Sequence, residues 1–352
     1  MKLSDVVNRI NGNVDRFTTD LEYYIGGEHM ESNELEITKG GNLKENLGKL
    51  GFKFHFAFKE RDVIFMARNP HLRKAGMVMF SGLCSDASYI LRSKDETVIT
   101  QEFLAVQLQS DHFWDYCERT KVGSVNFANN WTSIANYEFE LPPIAKQKEI
   151  ANKVWAAYNL KKSYKKMLTA TQEMVKSQFI EMFGDTHMRS DHSRQWKEVV
   201  EIINGKDYKS IQVEDGGYPV YGTGGEMARA SDYLSPANSI LLGRKGTIDK
   251  PLLIREKYWN VDTAFGAVPD EKVLHYVYFY WHCKTIDFNV LNKGTTLPST
   301  TKVDLLNLWI KIPSMEEQTR FGSIVEQADK SEFELRKSID AIDQVIKSLI
   351  NE

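Results

Sequence analysis

Apolar residues follow two rhythms along this chain. In two stretches they recur at alternating steps of four and three. The first runs Ile150, Val154, Ala157, Lys161, Tyr164, Leu168, Thr171, Val175, Gln178 and Met182; the second runs Phe321, Val325, Ala328, Glu332, Leu335, Ile339, Ile342, Ile346 and Leu349. Such steps keep one side of a helix apolar, and about four heptads of them form a coiled-coil seam. Proline at 142 and 313 marks each helix start, and Gly184 closes the first. Elsewhere the apolar residues fall in short runs such as DVIFMA, MVMFSG, SYILR, SILLG and PLLIR, broken by Gly, Pro, Asn and Ser. These read as strands. The pattern predicts an α+β chain: β-rich globular regions at 1–141 and 185–311, and long helices at 142–184 and 312–352. With two seams in the chain, the economical arrangement pairs them as an antiparallel coiled coil. Lys161 and Glu332 then occupy equivalent seam positions where apolar residues are expected. Facing each other they would set the helix register; the alternative is two side chains that snorkel outward.

The two halves repeat. LPPIAKQ from Leu141 and IPSMEEQ from Ile312 open segments that align without a gap, with identities that include Pro142/Pro313, Gln147/Gln318, Val154/Val325, Ala157/Ala328 and Lys166/Lys337. The same offset pairs Gly123 with Gly294. A looser match sets Asp62-Val-Ile-Phe-Met-Ala-Arg68 beside Asn238-Ser-Ile-Leu-Leu-Gly-Arg244, and Asp86 and Asp262 keep that spacing. The chain is two copies of one unit, a mixed domain followed by a long helix.

Composition narrows the class. Of 352 residues, 42% are hydrophobic and 26% charged, as in an ordinary globular protein, and the formal net charge is −3. No window approaches a membrane span, and the N-terminus lacks the pattern of a secretory signal. The three cysteines, Cys84, Cys117 and Cys283, form no CxxC pair, so a reducing cytoplasm is expected.

Catalytic motifs are scarce. Gly243-Arg-Lys-Gly-Thr247 lacks the spacing of a phosphate-binding loop, no HExxH occurs, and Asn69-Pro-His-Leu72 departs from the Asn-Pro-Pro-aromatic loop of adenine methyltransferases. The reading is therefore non-enzymatic, with no cofactor or metal site in this chain. The polar clusters fit a binding surface instead. Arg68, Asn69, Arg73 and Lys74 share one loop, and Arg244, Lys245, Thr247 and Lys250 share its counterpart. Arg and Lys contact guanine edges or phosphates. Ser124, Asn126, Asn129 and Asn130 in the first copy, with Thr295, Thr296, Ser299, Thr300 and Lys302 in the second, add short polar side chains suited to base edges. Charge argues against a nonspecific phosphate binder, because residues 185–312 are neutral and residues 1–143 carry net −4.

Together these residues resemble the specificity subunit of type I restriction-modification systems, over essentially the whole chain. Leu141-Pro-Pro-Ile-Ala-Lys-Gln147 and Ile312-Pro-Ser-Met-Glu-Glu-Gln318 resemble that family's helix openings, although Ala145-Lys146 and Ser314 depart from the usual residues. Lys176-Ser-Gln-Phe-Ile-Glu-Met-Phe-Gly184 resembles the end of its central helix. Tyr218-Pro-Val-Tyr221-Gly-Thr223-Gly-Gly225 resembles a second-domain motif, which adds Tyr221 and Thr223 to the candidate contacts. The resemblance implies two target-recognition domains, each reading half of a split double-stranded DNA target. It also implies paired helices that dock two modification subunits carrying S-adenosylmethionine, with restriction subunits as further partners. A stand-alone adenine methyltransferase and a structural coiled-coil adaptor are the competing readings.

Overall fold

The computed structural model describes residues 1–294 and 296–351, which form two compact units. The first comprises Met1–Lys166 with Arg336–Glu352, the second Met167–Leu335. Each unit thus joins a globular domain to a length of both long helices.

In the first unit one sheet runs in the order Val7–Ile10, Ser88–Ser93, Val63–Met66, Ala75–Val78 and Glu36–Ile37. The middle strands are antiparallel, with Val63 opposite Leu91 and Met77. A second sheet runs Gly41–Asn42, Tyr23–Ile25, Gly82–Ser85 and Phe54–Phe58. Helices Gln101–Gln107, Asp111–Thr120 and Trp131–Ala135 cover one face of the first sheet, with Phe65, Phe113, Trp114 and Tyr137 fully buried among them.

The second unit repeats this order. Its first sheet runs Val200–Asn204, Ala264–Pro269, Ser239–Gly243 and Leu252–Ile254. Each strand matches one of the first unit, so the loose alignment of Asp62–Arg68 with Asn238–Arg244 is structural. Here Trp196, Phe265, Tyr278 and Phe279 fill the core. The strand-like runs SYILR and SILLG are the strands Ser88–Ser93 and Ser239–Gly243. MVMFSG is only partly extended in one strand: Ala75–Val78 ends early and Met79 is exposed.

The long helices are Ile144–Phe183 and Met315–Asn351. All nineteen seam positions read from the periodicity are buried or half-buried. In the first unit, Val154 and Tyr158 pack with Ile346, Leu349 and Ile350; in the second, Val175 and Phe179 pack with Phe321, Val325 and Ala328. The pairing is antiparallel: Lys161 lies against Asp343, and Gln172, eleven residues on, against Glu332, eleven residues back.

That register corrects the expected Lys161–Glu332 pair. The Lys161 ammonium is held by Asp343 at 2.8 Å and Glu34 at 3.1 Å, while Glu332 accepts from Gln172 at 3.1 Å. Repeat-equivalent residues face each other only near the midpoint of an antiparallel pair, and Lys161 lies off it. Burial pushes Lys161 toward losing its proton, but the hydrogen bond to Asp343 and the Glu34 charge outweigh this and hold its pKa above the ordinary value. Burial acts the opposite way on Glu34 and lifts it, yet its bond from Lys165 and the Lys161 charge bring it below the usual carboxylate range. Lys162 bonds Glu36 beside them. This charged network fastens the first domain to the helices.

Each helix start is fastened by the same residue of the repeat. Gln147, fully buried, donates to the carbonyls of Pro142 and Val98, both at 2.8 Å, and accepts from the Thr100 amide at 3.2 Å. Gln318, equally buried, donates to Pro313 and Val273 and accepts from the His275 amide at 2.8 Å. A buried amide with all these bonds made rigidifies the join between domain and helix.

Candidate nucleic-acid interface

The first candidate loop leaves the strand Val63–Met66 and turns sharply. Asn69 and Arg73 both adopt left-handed backbone, at φ 53° and 48°, around a single helical turn at Pro70–Leu72. Asn tolerates this conformation well, whereas Arg rarely adopts it. Side-chain and backbone bonds hold the turn. The Arg73 guanidinium pairs with Asp111 at 2.6 Å, and Lys74 donates to the Gly27 carbonyl at 2.7 Å. Two of the three predicted cations are therefore engaged by the domain itself. Arg68 and Asn69 are exposed, and no ion pair involves Arg68 among the described residues.

The second candidate loop lies directly beside the first. The Asn69 amide donates to the Phe127 carbonyl at 2.8 Å, and Arg68 bridges Ala128. Ser124 and Asn126 are exposed, whereas Asn129 and Asn130 also bond the domain's own backbone. Buried Asn129 donates to the Cys117 carbonyl at 2.8 Å, and Asn130 caps the helix Trp131–Ala135 through the Ser133 amide. Both satisfy backbone groups at the loop base, a common use of Asn next to helix and strand ends. Gly123, at φ 108°, lets the chain fold back: a side chain there would meet the Asn126 carbonyl at 2.6 Å.

The second unit builds the same pair of loops. The Thr300 amide donates to the Arg244 carbonyl at 3.0 Å, Gly246 to Pro298 at 2.9 Å, and Lys245 bridges Ser299. Gly294 stands in the place of Gly123; a side chain there would collide with the Leu297 carbonyl. Lys245, Lys250 and Thr296 are exposed, while Arg244, Thr247 and Ser299 are half-buried. Thr300 is buried, donating to the Gly243 carbonyl at 2.8 Å, and Lys302 donates to Ile202 at 2.6 Å. These two are structural for the same reason as Asn129. Thr295 lies outside the described residues. Tyr221 and Thr223 are half-buried beside this site, and the Tyr221 carbonyl accepts from the Val261 amide at 3.1 Å. Burial raises the Tyr221 hydroxyl above its ordinary pKa, with the Glu226 charge adding to the shift, so it acts as a neutral donor and acceptor.

In both units, then, the Arg-bearing loop and the Gly-bearing loop, far apart in sequence, are laced together by backbone hydrogen bonds. They leave a cluster of exposed Arg or Lys, Asn, Ser and Thr at one end of the first sheet. No group of His, Cys, Asp and Glu suited to a metal ion occurs among the described residues. The role of Gln147 and Gln318 was not readable from the sequence. Their identity across the repeat, at the same place in both helix openings, was the available signal.

Two mixed domains of one topology, each presenting one such loop pair and each carried on a long helix, define a duplicated recognition module. The model of the type I restriction modification DNA specificity domain matches residues 1–169 and 192–344, and the chain belongs to that family. No curated protein sequence matches the chain. Among solved structures, the S subunit of a type I restriction-modification system from M. genitalium is similar at 12% identity and a TM-score of 0.64, covering 99% of this chain and 94% of its own. A chain from a study of complex assembly and conformational transition of the type I R-M system is 19% identical with a TM-score of 0.60, covering 99% of this chain and 95% of its own. The α+β fold of two repeated domains and paired helices is shared with these structures, and the chain is a DNA sequence-recognition subunit.

Proposed function

We propose that this chain is the non-catalytic reader of its complex, in the cytoplasm, with each unit reading one half of a bipartite double-stranded target. The carrying observation is the recurrence, in both units, of two loops joined edge to edge with their exposed polar side chains together. Within them, Arg68, Asn69, Ser124, Asn126, Arg244, Lys245, Lys250 and Thr296 face the DNA; Tyr221, Thr223, Thr247 and Ser299 line the second surface. Arg73, Lys74, Asn129, Asn130, Thr300 and Lys302 hold the loops in shape. Near-neutral domains of this kind gain little from phosphate attraction alone, which favours reading of base edges.

The paired helices would dock two modification subunits, which bring S-adenosylmethionine and transfer its methyl group to adenine; restriction subunits would join the same assembly. Exposed Met167 and Met174, seven residues apart on one helix, supply apolar contact area for such a partner. The test is methylation of a DNA library by the isolated chain and by the chain with modification subunits. Sequence-specific adenine methylation is expected with the partners only. Methylation by the isolated chain would favour a stand-alone methyltransferase, and no change in partner specificity on adding the chain would favour a structural adaptor.

A further inference from the structure

The two recognition surfaces share a carboxylate that the fold does not require. Asp86 follows Arg68 by eighteen residues, and Asp262 follows Arg244 by eighteen. In each unit the arginine leaves one strand and the aspartate lies just before the antiparallel neighbour, so the two residues sit at the same end of adjacent strands. The Ala67 amide donates to Ala87 at 2.9 Å, and the Arg244 amide to Thr263 at 2.8 Å. Arg68, Asp86, Ser85 and Phe52 line one open cavity of about 200 Å³. Phe52, at its rim, is 80% exposed. In the second unit the Arg244 guanidinium donates to the Asp262 backbone carbonyl at 3.3 Å, which keeps the pair side by side.

Neither carboxylate caps a helix or closes a turn. Half-buried Asp86 pairs with exposed Lys53 at 2.8 Å; Asp262 is exposed and makes no ion pair among the described residues. An outward carboxylate on a DNA-facing surface repels the phosphates, and the second unit repeats the arrangement. A carboxylate is an acceptor only, so the base edge that answers it is an exocyclic amino group. The neighbouring arginine suits guanine O6 and N7, and those acceptors lie across the base pair from the cytosine N4 amine.

We propose that Asp86 and Asp262 are specificity-determining residues, each accepting a hydrogen bond from the N4 amino group of a cytosine whose paired guanine is bound by the adjacent arginine. This rests on the DNA-reading function proposed above. Asn is isosteric with Asp but can also donate, so it accepts thymine, which presents a carbonyl where cytosine presents the amine.

The test maps methylated motifs in DNA exposed to the complex of this chain with its modification subunits, comparing wild type with Asp86→Asn and Asp262→Asn. Asp86→Asn is expected to admit T·A for C·G at one position of one half-site, with preference for C·G reduced about tenfold or more, and to leave the other half-site unchanged. Asp262→Asn is expected to do the converse. An unchanged motif in both variants, or a loss spread evenly over all positions, overturns the assignment. A wild-type complex that shows no sequence motif overturns the DNA-reading function itself, and the assignment with it.

Discussion

At the level of single residues, the structure divides side chains that look alike in sequence. Arg68, Arg73 and Lys74 belong to one polar loop, yet Arg73 is locked to Asp111 and Lys74 to a backbone carbonyl. Arg68→Ala should therefore weaken recognition of one half-site and Arg244→Ala the other, each by roughly 1–3 kcal/mol, the usual worth of a base-reading arginine. Arg73→Ala should act mainly on stability. Competition binding with half-site mutants, alongside thermal melts, separates the two effects. An equal loss on every sequence, with a shallower salt dependence, would show that Arg68 and Arg244 only grip phosphate. Sequence reading located these loops because Arg, Asn and Gly cluster there and recur in both halves. It could not sort Asn126 from Asn129, three positions apart in one loop, because the difference is whether the amide points outward or into the backbone of the preceding helix. That depends on packing partners such as Cys117, which are distant in the pattern.

For the elements, the helical seam was legible in outline, since periodicity responds directly to burial, but buried Tyr158 and Phe179 fall outside the positions it picked, and its register was not legible. Equivalence by repeat suggested a Lys161–Glu332 contact, whereas charge complementarity in the folded pair gives Lys161 to Glu34 and Asp343. Lys161→Glu should destabilise the first unit by about 1–3 kcal/mol, because it leaves Glu34 facing a like charge in a largely buried network. Adding Glu332→Lys should not restore the melting temperature; full restoration would reinstate the discarded pairing. A second element-level expectation concerns acid. Fully buried His282 sits between the Thr186 hydroxyl at 2.7 Å and the Trp196 indole N–H at 3.4 Å. Because the indole can only donate, His282 Nε2 accepts and the ring is neutral. Burial first, and then the charge of neighbouring His187, hold its pKa well below 6.5. Burial also lowers His187, although Asp185 opposes it. The unfolded chain therefore takes up protons that the folded chain refuses, and stability declines as the pH falls below about 6.5. Melting temperatures recorded from pH 7.5 down to 5.5 should show this fall, and His282→Gln should make it shallower, with His187 and His275, whose pKa values burial also lowers, supplying the rest.

For the molecule as a whole, each long helix contributes a length to both units. The central helix has 40 residues, about 60 Å at ~1.5 Å each. If helix length sets the distance between half-sites, a heptad inserted between Thr171 and Gln172 must be matched where the partner helix faces it, between Glu332 and Phe333. An insertion at the repeat-equivalent point near Ile342 would instead break the register. The matched pair should lengthen the target spacer by up to roughly three base pairs, since a heptad adds about 10 Å and each base-pair step ~3.4 Å. Both half-site sequences should persist. Motif mapping decides the matter: an unchanged spacer in a folded, active complex would mean that the helices do not measure the gap.

The rivets at the base of each loop also shape the thermodynamics of recognition. Asn129 and Thr300 close their loops from inside, and Gly123 and Gly294 permit turns that other residues would block. A loop pinned at its base by its own domain has less conformational entropy to lose when it meets a ligand, a loss that otherwise amounts to about 1–2 kcal/mol for each residue ordered. Association then proceeds nearly as a rigid-body encounter, and discrimination between sequences falls mainly on the dissociation rate. A wrong base is not met by a loop that rearranges to suit it. It leaves a fixed donor or acceptor unanswered, and the complex comes apart sooner.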